Sequence, residues 1–304
     1  MRFFAAALAA VSSVVATTIV ETASMGPLRI LENIGRGRNA LVYKAVLAAE
    51  DKQGGPSFFA VKVIAGKDAD ILAREVEVLT ALRTTQGFPR IHGAEKGLIV
   101  MEMLEGKSLD KFASVSDLPI PLNQMAIQLI DRLQAVHSAG FVHVDMHKRN
   151  IMVQEDRVCL LDFGLAVRIR EPKNPVYVNL FLSSENEQAR NPLYPIDDIE
   201  RLMYVLMDFQ VELPWTSLMR MREQMDQETR SRDVQAVVTS LEARILAMKV
   251  EFHTNNAFFE RHARDLPPAY RQILKYIAEH RPVRENPDFT IDYSYLKSLL
   301  AFAV

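Results

Sequence analysis

The chain has 304 residues, 49% hydrophobic and 24% charged, enough apolar material to bury a sizeable core without a stabilising staple. A formal net charge of −2, with no block of five like charges, excludes a nucleic-acid patch or an acidic tail as the organising feature. Cys159 is the single cysteine, so no internal disulfide framework exists and a small buried side chain is expected there.

The chain opens with MRFFAAALAAVSSVVATTIV, one early arginine followed by eighteen uncharged residues rich in Ala, Val and Ser. Val14 and Ala16 have the spacing of a small-residue cleavage site, so residues 1–24 are expected to be a secretory leader. An uncleaved anchor is a second reading, and a start of translation at Met25, giving a cytoplasmic protein, is a third. A cleaved leader implies no stable membrane association.

From Leu28 the pattern turns strand-like. LRILENI, LVYKAVLA and FFAVKVI predict three antiparallel strands, the first pair joined by a glycine-bearing turn. DADILAREVEVLTAL places Ile71, Leu72, Val76, Leu79 and Leu82 at the spacing of an amphipathic helix. FPRIHGAEKGLIVMEML predicts two more strands around a turn at Glu95 to Gly97. PLNQMAIQLIDRLQAVHSAG begins with a proline in its first turn and closes on Gly140, as helices do. DDIERLMYVLMDF, residues 197–209, carries apolar side chains on nearly every face and predicts a helix buried all round. Residues 216–265 predict further helices and loops without clear bounds, and PPAYRQILKYIAEH predicts a late helix. The expected class is α+β: a small sheet with one helix over about 28–104, followed by a larger helical lobe over about 105–304.

Five segments carry chemistry. GRGRNALV, Gly35 to Val42, sits in a turn where glycines let backbone amides approach phosphates. Lys62 is a charged residue in an apolar strand and needs a partner if buried. Glu75 lies four residues after Ile71 and four before Leu79, on the apolar stripe, whereas Glu77 points away with Arg74. Glu75 is therefore the candidate partner of Lys62. FVHVDMHKRNIMV then supplies Asp145 as an acceptor of a hydroxyl proton and Asn150 as a metal ligand, and LLDFGLA supplies Asp162 as the second. Mg²⁺ prefers such oxygen donors, whereas His143 and His147 lack a third ligand for zinc.

In this order and spacing the chain resembles the protein-kinase superfamily, and within it the casein kinase 1 family, over nearly all of 28–304. IVMEML with SLDKF, DDIERLMYVLMDF running into ELPWTSL, and DYSYLKSLL look like that family's segments. The resemblance implies a two-lobed fold binding ATP and Mg²⁺, a Ser/Thr hydroxyl on a protein as acceptor, no nucleic acid, and a monomer. It implies nucleotide contacts from Ile34, Gly35, Gly37, Val42, Ala60 and Lys62, with Met101 at the back of the pocket. Glu102 and Leu104 would offer hinge backbone and Met152 would form the floor. Asp198 would brace the catalytic loop.

Departures from the family pattern are Ala40 for a third glycine, Val144 for the arginine before Asp145, and His147 for the lysine two residues after it. That lysine meets the transferred phosphoryl group in the family, so Arg149, with His147 assisting, is expected to replace it. Only 33 residues separate Gly164 from Asp198, and PVYVNLFLSSENEQARNPLYPID lacks a clear counterpart of the family's substrate-binding segment. A pseudokinase and a small-molecule phosphotransferase remain the alternative functions.

Overall fold

The computed structural model describes residues 18–37, 40–48, 57–64, 69–95, 97–171, 179–227, 232–283, 285–286 and 289–301. The chain divides into two compact units. The first runs through Gly106 and is rejoined by residues 161–165, and the second holds 107–160 and 166–304. The sequence pattern places the lobe boundary at about 104. The return of 161–165 to the first unit was not foreseen.

The first unit is a curled six-stranded antiparallel sheet in the order β1-β2-β3-β4-β6-β5. Its strands are β1 (Ile19–Thr22), β2 (Gly26–Arg36), β3 (Ala40–Leu47), β4 (Phe58–Ile64), β5 (Ile91–Glu95) and β6 (Leu98–Glu102), with helix α1 (Ala69–Ala81) between β4 and β5. Val20, Leu28, Ile30, Tyr43, Ala45, Phe59, Val61 and Val100 form one core cluster. Their alternation along each strand is the period-2 signal that made the strands readable. Gly97 turns β5 into β6 with φ +89°, a region open to glycine without strain.

Strand β1 lies inside the segment expected to be leader. Ile19 to Thr22 pair with Arg29 back to Gly26, and Val20 is 3% exposed. The following turn reaches the other margin of the sheet: the Ala23 N–H donates to Glu95 Oε1. A Cβ placed on Gly93 would lie 2.0 Å from Ser24 Oγ, so that turn packs directly on β5. Residues 1–17, the body of the expected leader, lie outside the described residues.

The second unit is mainly helical. Helix α2 (Leu122–Ser138) precedes the short strands β8 (Phe141–Val142), β9 (Ile151–Val153) and β10 (Val158–Leu160). β10 and β7 (Lys107–Ser108) flank β9, and β11 (Val167–Arg168) pairs with β8. Then come α3 (Glu185–Gln188), α4 (Pro195–Asp208), α5 (Thr216–Gln227), α6 (Arg232–Thr254), α7 (Asn256–Ala263), α8 (Pro268–His280) and α9 (Tyr293–Ala301). Every residue of α4 from Ile196 to Met207 is buried, as its all-round apolar pattern predicts. The unplaced region 216–265 resolves into α5, α6 and α7. Inside it Lys249 of α6 is fully buried, and its Nζ donates to Leu180 O, Ser183 O and Ser183 Oγ, which fixes the segment entering α3.

Candidate active site

In the first unit, Lys62 projects from β4 into the space under α1. Its Nζ lies 2.7 Å from Glu75 Oε2 and 2.8 Å from Asp162 Oδ1. Glu75 reaches it because α1 buries Leu72, Glu75, Val78 and Leu79 on one stripe, while Arg74 and Glu77 pair with each other at 3.0 Å on another face. Burial alone would lower the Lys62 pKa, but the charges of Asp162 and Glu75 outweigh it and hold the amine above its usual range. Glu75 is pushed up by burial, opposed by Lys62 and by the Phe163 backbone N–H.

Asp162 stands at φ +61°, an uncommon backbone for a non-glycine residue and of the kind that collects at functional sites. Gly164 follows, with its N–H 3.3 Å from Asp162 Oδ1 and no room for a side chain, because a Cβ would lie 2.5 Å from Ile71 Cγ2. Phe163 between them is fully buried, its ring centroid 5.8 Å from that of Phe88. Asp162 is thereby fixed to the helix that carries Glu75.

In the second unit, the loop between β8 and β9 holds the other predicted residues. Val144 has φ +70°, a strained conformation for a β-branched side chain. Its restraint comes from α4: Asp198 accepts from the N–H of His143 at 2.6 Å and of Val144 at 3.0 Å. Burial would raise Asp198, but His137 and His143 more than compensate and hold its carboxyl below the usual range. His137 Nε2 lies 2.9 Å from Asp198 Oδ2, and its Nδ1 lies 2.6 Å from the Tyr293 hydroxyl, so α2 and α9 both support the brace. Asp198 was expected from the family resemblance. His137 and Tyr293 were missed, although DYSYL had been noted.

Asn150 Nδ2 donates to Asp145 O at 2.9 Å and to Asp145 Oδ2 at 3.3 Å. With its nitrogen so engaged, the amide keeps its Oδ1 as the acceptor. This amide oxygen in the second unit, and the part-exposed carboxylate of Asp162 in the first, are each the donor type Mg²⁺ takes, so each residue by itself fits the ion. A metal held by such donors would neutralise charge on the nucleotide phosphates. His147 Nε2 lies 3.6 Å from Asp145 Oδ2. Burial raises the Asp145 carboxyl, but His147, then Arg201 and His143, outweigh it and keep it below the usual carboxylate range.

Arg149 is placed differently from expectation. Its Nε pairs with Asp110 Oδ2 at 3.6 Å, and its side chain is 79% exposed. Neighbouring Lys148 Nζ pairs with Asp208 at 2.6 Å. The side chains that lower the Asp145 carboxyl are instead His147, Arg201 and His143, and Arg201 was not singled out in the sequence.

The remaining predicted residues lie where the strand pattern puts them. Gly35 is paired with Val42, Val42 with Lys62, and Ala60 with Met101. The Gly37 N–H donates to Ala40 O at 2.9 Å. Ile34 sits at an irregularity in β2 and is 41% exposed. Arg38 and Asn39, at the tip of GRGRNALV, lie outside the described residues. Glu102 ends β6 and accepts from the Arg90 backbone, with Leu104 in the coil beyond. Met152, in the second unit, is flanked on β9 by Cys159 and Ser108.

The model of the protein kinase domain family matches residues 28–186, more than half of the chain. The chain belongs to the protein kinase family. The family accounts for the antiparallel sheet followed by a helical unit, and a kinase of this type uses ATP with a divalent metal and acts on protein substrates.

Proposed function

We propose that this kinase is catalytically active, of the serine/threonine type and casein kinase 1-like. It would transfer the γ-phosphoryl group of ATP to a protein hydroxyl with Mg²⁺ on Asn150 and Asp162. The observation that carries the reading is Lys62, whose Nζ lies within 2.8 Å of both Glu75 and Asp162. A buried ammonium between two carboxylates has no use as a mere core filler, since such a cluster is costly to desolvate. It is the arrangement that positions nucleotide phosphates and metal in this family. Asp145 would accept the hydroxyl proton, and its hydrogen-bonded partner Asn150 keeps it in place.

Casein kinase 1 character is supported by IVMEML, ELPWTSL and DYSYLKSLL, and by Tyr293 of the last of these reaching the brace of the catalytic loop. For location we favour the secretory route. Within the expected leader of residues 1–24, cleavage just after the Val14 and Ala16 spacing would keep β1 in the sheet, whereas a Met25 start or removal of all 24 residues would delete it.

The test is transfer from Mg-ATP to casein and to a Ser/Thr/Tyr peptide panel by the purified chain, with Asp162→Asn as control. Transfer to serine or threonine above the control is expected. Nucleotide binding without transfer would identify a pseudokinase. Transfer only to small hydroxylated molecules would favour the phosphotransferase reading that the His143, Asp145 and His147 pattern suggests.

A further inference from the structure

The second unit holds a cavity of about 280 Å³ that phosphoryl transfer does not use. Its wall is drawn from His137 at the end of α2, Ile169 and Arg170 after β11, Tyr194 at the start of α4, and residues 289–293 leading into α9. The lining is largely apolar and aromatic, with Tyr194 and Ile291 buried and Arg170 exposed.

Three of these wall residues support the catalytic loop by direct contact. His137 Nε2 lies 2.9 Å from Asp198 Oδ2, and its Nδ1 lies 2.6 Å from the Tyr293 hydroxyl, and His137 and Tyr293 both line the cavity. Asp198 in turn accepts from the N–H of His143 at 2.6 Å and of Val144 at 3.0 Å. Ile169, the third, packs on the core cluster of Val142, Val144 and Leu193. Val144, at φ +70°, is thus restrained through its N–H by the Asp198 brace and through its side chain by that cluster. A ligand in the cavity would touch the supports of both.

The lining also sets the chemistry of that ligand. Both ring nitrogens of His137 are engaged, so the wall offers water few of the two to four polar partners that would hold it, and an apolar body displaces it at a gain. Arg170 defines the polar end. Its backbone stands at φ +68°, kept there by the Ile169 N–H to Gly140 O at 3.0 Å and by its own N–H to Leu193 O at 3.3 Å. Among the described residues its guanidinium has no ion-pair partner. A planar guanidinium matches a carboxylate with two parallel N–H bonds.

We propose that this cavity is a regulatory site for a small aromatic carboxylate. The ring fills the space against His137 and Tyr293, the carboxylate pairs with Arg170, and occupancy firms the hold of Asp198 on His143 and Val144. The inference rests on the kinase reading only for its effect on rate.

The test titrates naphthalene carboxylate, and its uncharged counterpart naphthalene carboxamide, into the full chain by calorimetry, beside hydrogen exchange. The expected result is saturable binding of the acid with Kd of about 1 mM or below, and binding of the amide at least about fivefold weaker. Exchange should slow at residues 141–146 and 289–293. Arg170→Gln should bring the acid down to the affinity of the amide, and Ile291→Trp, which fills the cavity, should abolish binding of both. No saturable binding below about 10 mM, equal affinity for acid and amide, or acid binding unchanged in Arg170→Gln would each overturn the proposal. So would slowed exchange confined to other segments. If Ile291→Trp does not fold, Arg170→Gln, at an exposed position, still decides.

Near saturation with the acid, kcat for Mg-ATP should rise at least about twofold in the unaltered chain. A chain that binds the acid with kcat unchanged or lowered refutes the regulatory role. If the chain transfers no phosphoryl group with or without the acid, the kinase reading fails, while binding and exchange still decide this one.

Discussion

Arg149 is paired with Asp110, 3.6 Å from Nε to Oδ2, while His147 stands 3.6 Å from Asp145. Two residues that read in the sequence as joint substitutes for a missing lysine therefore have different partners. An exposed pair such as Arg149 with Asp110 contributes about 0–1 kcal/mol. Arg149→Ala should thus leave the transfer rate within about threefold. His147→Ala removes a donor beside the base and should lower kcat on the order of 10²-fold, with His147→Lys restoring or exceeding the original rate. Steady-state kinetics on the three variants checks the assignment. A large loss in Arg149→Ala would return the role to the arginine.

Lys62→Met should abolish transfer and also destabilise the fold. Removing one partner of a buried ionic cluster costs about 3–5 kcal/mol, because Glu75 is left buried beside Asp162. Adding Glu75→Gln to Lys62→Met should recover much of the stability and none of the activity. Denaturant unfolding and a transfer assay on the single and double variants separate the two effects.

Acid stability should depend on Glu200. Burial raises its carboxyl, but His253, Arg281 and the Glu185 backbone N–H outweigh it and hold the pKa at about 2, below the ordinary 4.5. A carboxyl depressed on folding adds stability above its unfolded pKa and loses it as pH falls through the folded one. Stability should therefore drop between about pH 4.5 and pH 2, and Glu200→Gln should flatten that drop while lowering stability at neutral pH. Thermal unfolding across this range gives both slopes.

Much of this molecule was legible from residue patterns because its strands and first helix are half-buried. Alternation and the 3.6-residue stripe tell which side of each element faces the core, and Glu75 on the stripe points to Lys62 from the sequence alone. Within α4 the same reasoning failed. A helix buried on every face offers no polar side from which to judge a charge, so Arg201 was read as part of an apolar run. His137 was missed for a different reason: its partners Asp198 and Tyr293 are 61 and 156 positions away, and no local spacing encodes them. Strand β1 was hidden by composition, since an apolar leader and an apolar edge strand have the same letters.

Starting the chain at Met25 should weaken the first unit. The truncation removes the four paired residues of β1 and unburies the core around Val20, which is worth about 1.5–3 kcal/mol for that side chain alone. A chain beginning at Thr18 should melt several degrees higher than one beginning at Met25, and Val20→Asp in the longer chain should reproduce the loss. Equal melting of the two chains would show that β1 contributes nothing to the sheet.

The contact of the 23–25 turn with β5 also links two positions that no helix or strand joins. With Ser24 seated where a Cβ of Gly93 would lie, residue 93 can carry no side chain as long as the turn stays docked. In a relative that lacks β1 the restriction disappears. Glycine at 93 should then covary with an intact first strand, and an alanine there should mark a kinase whose sheet begins one strand later.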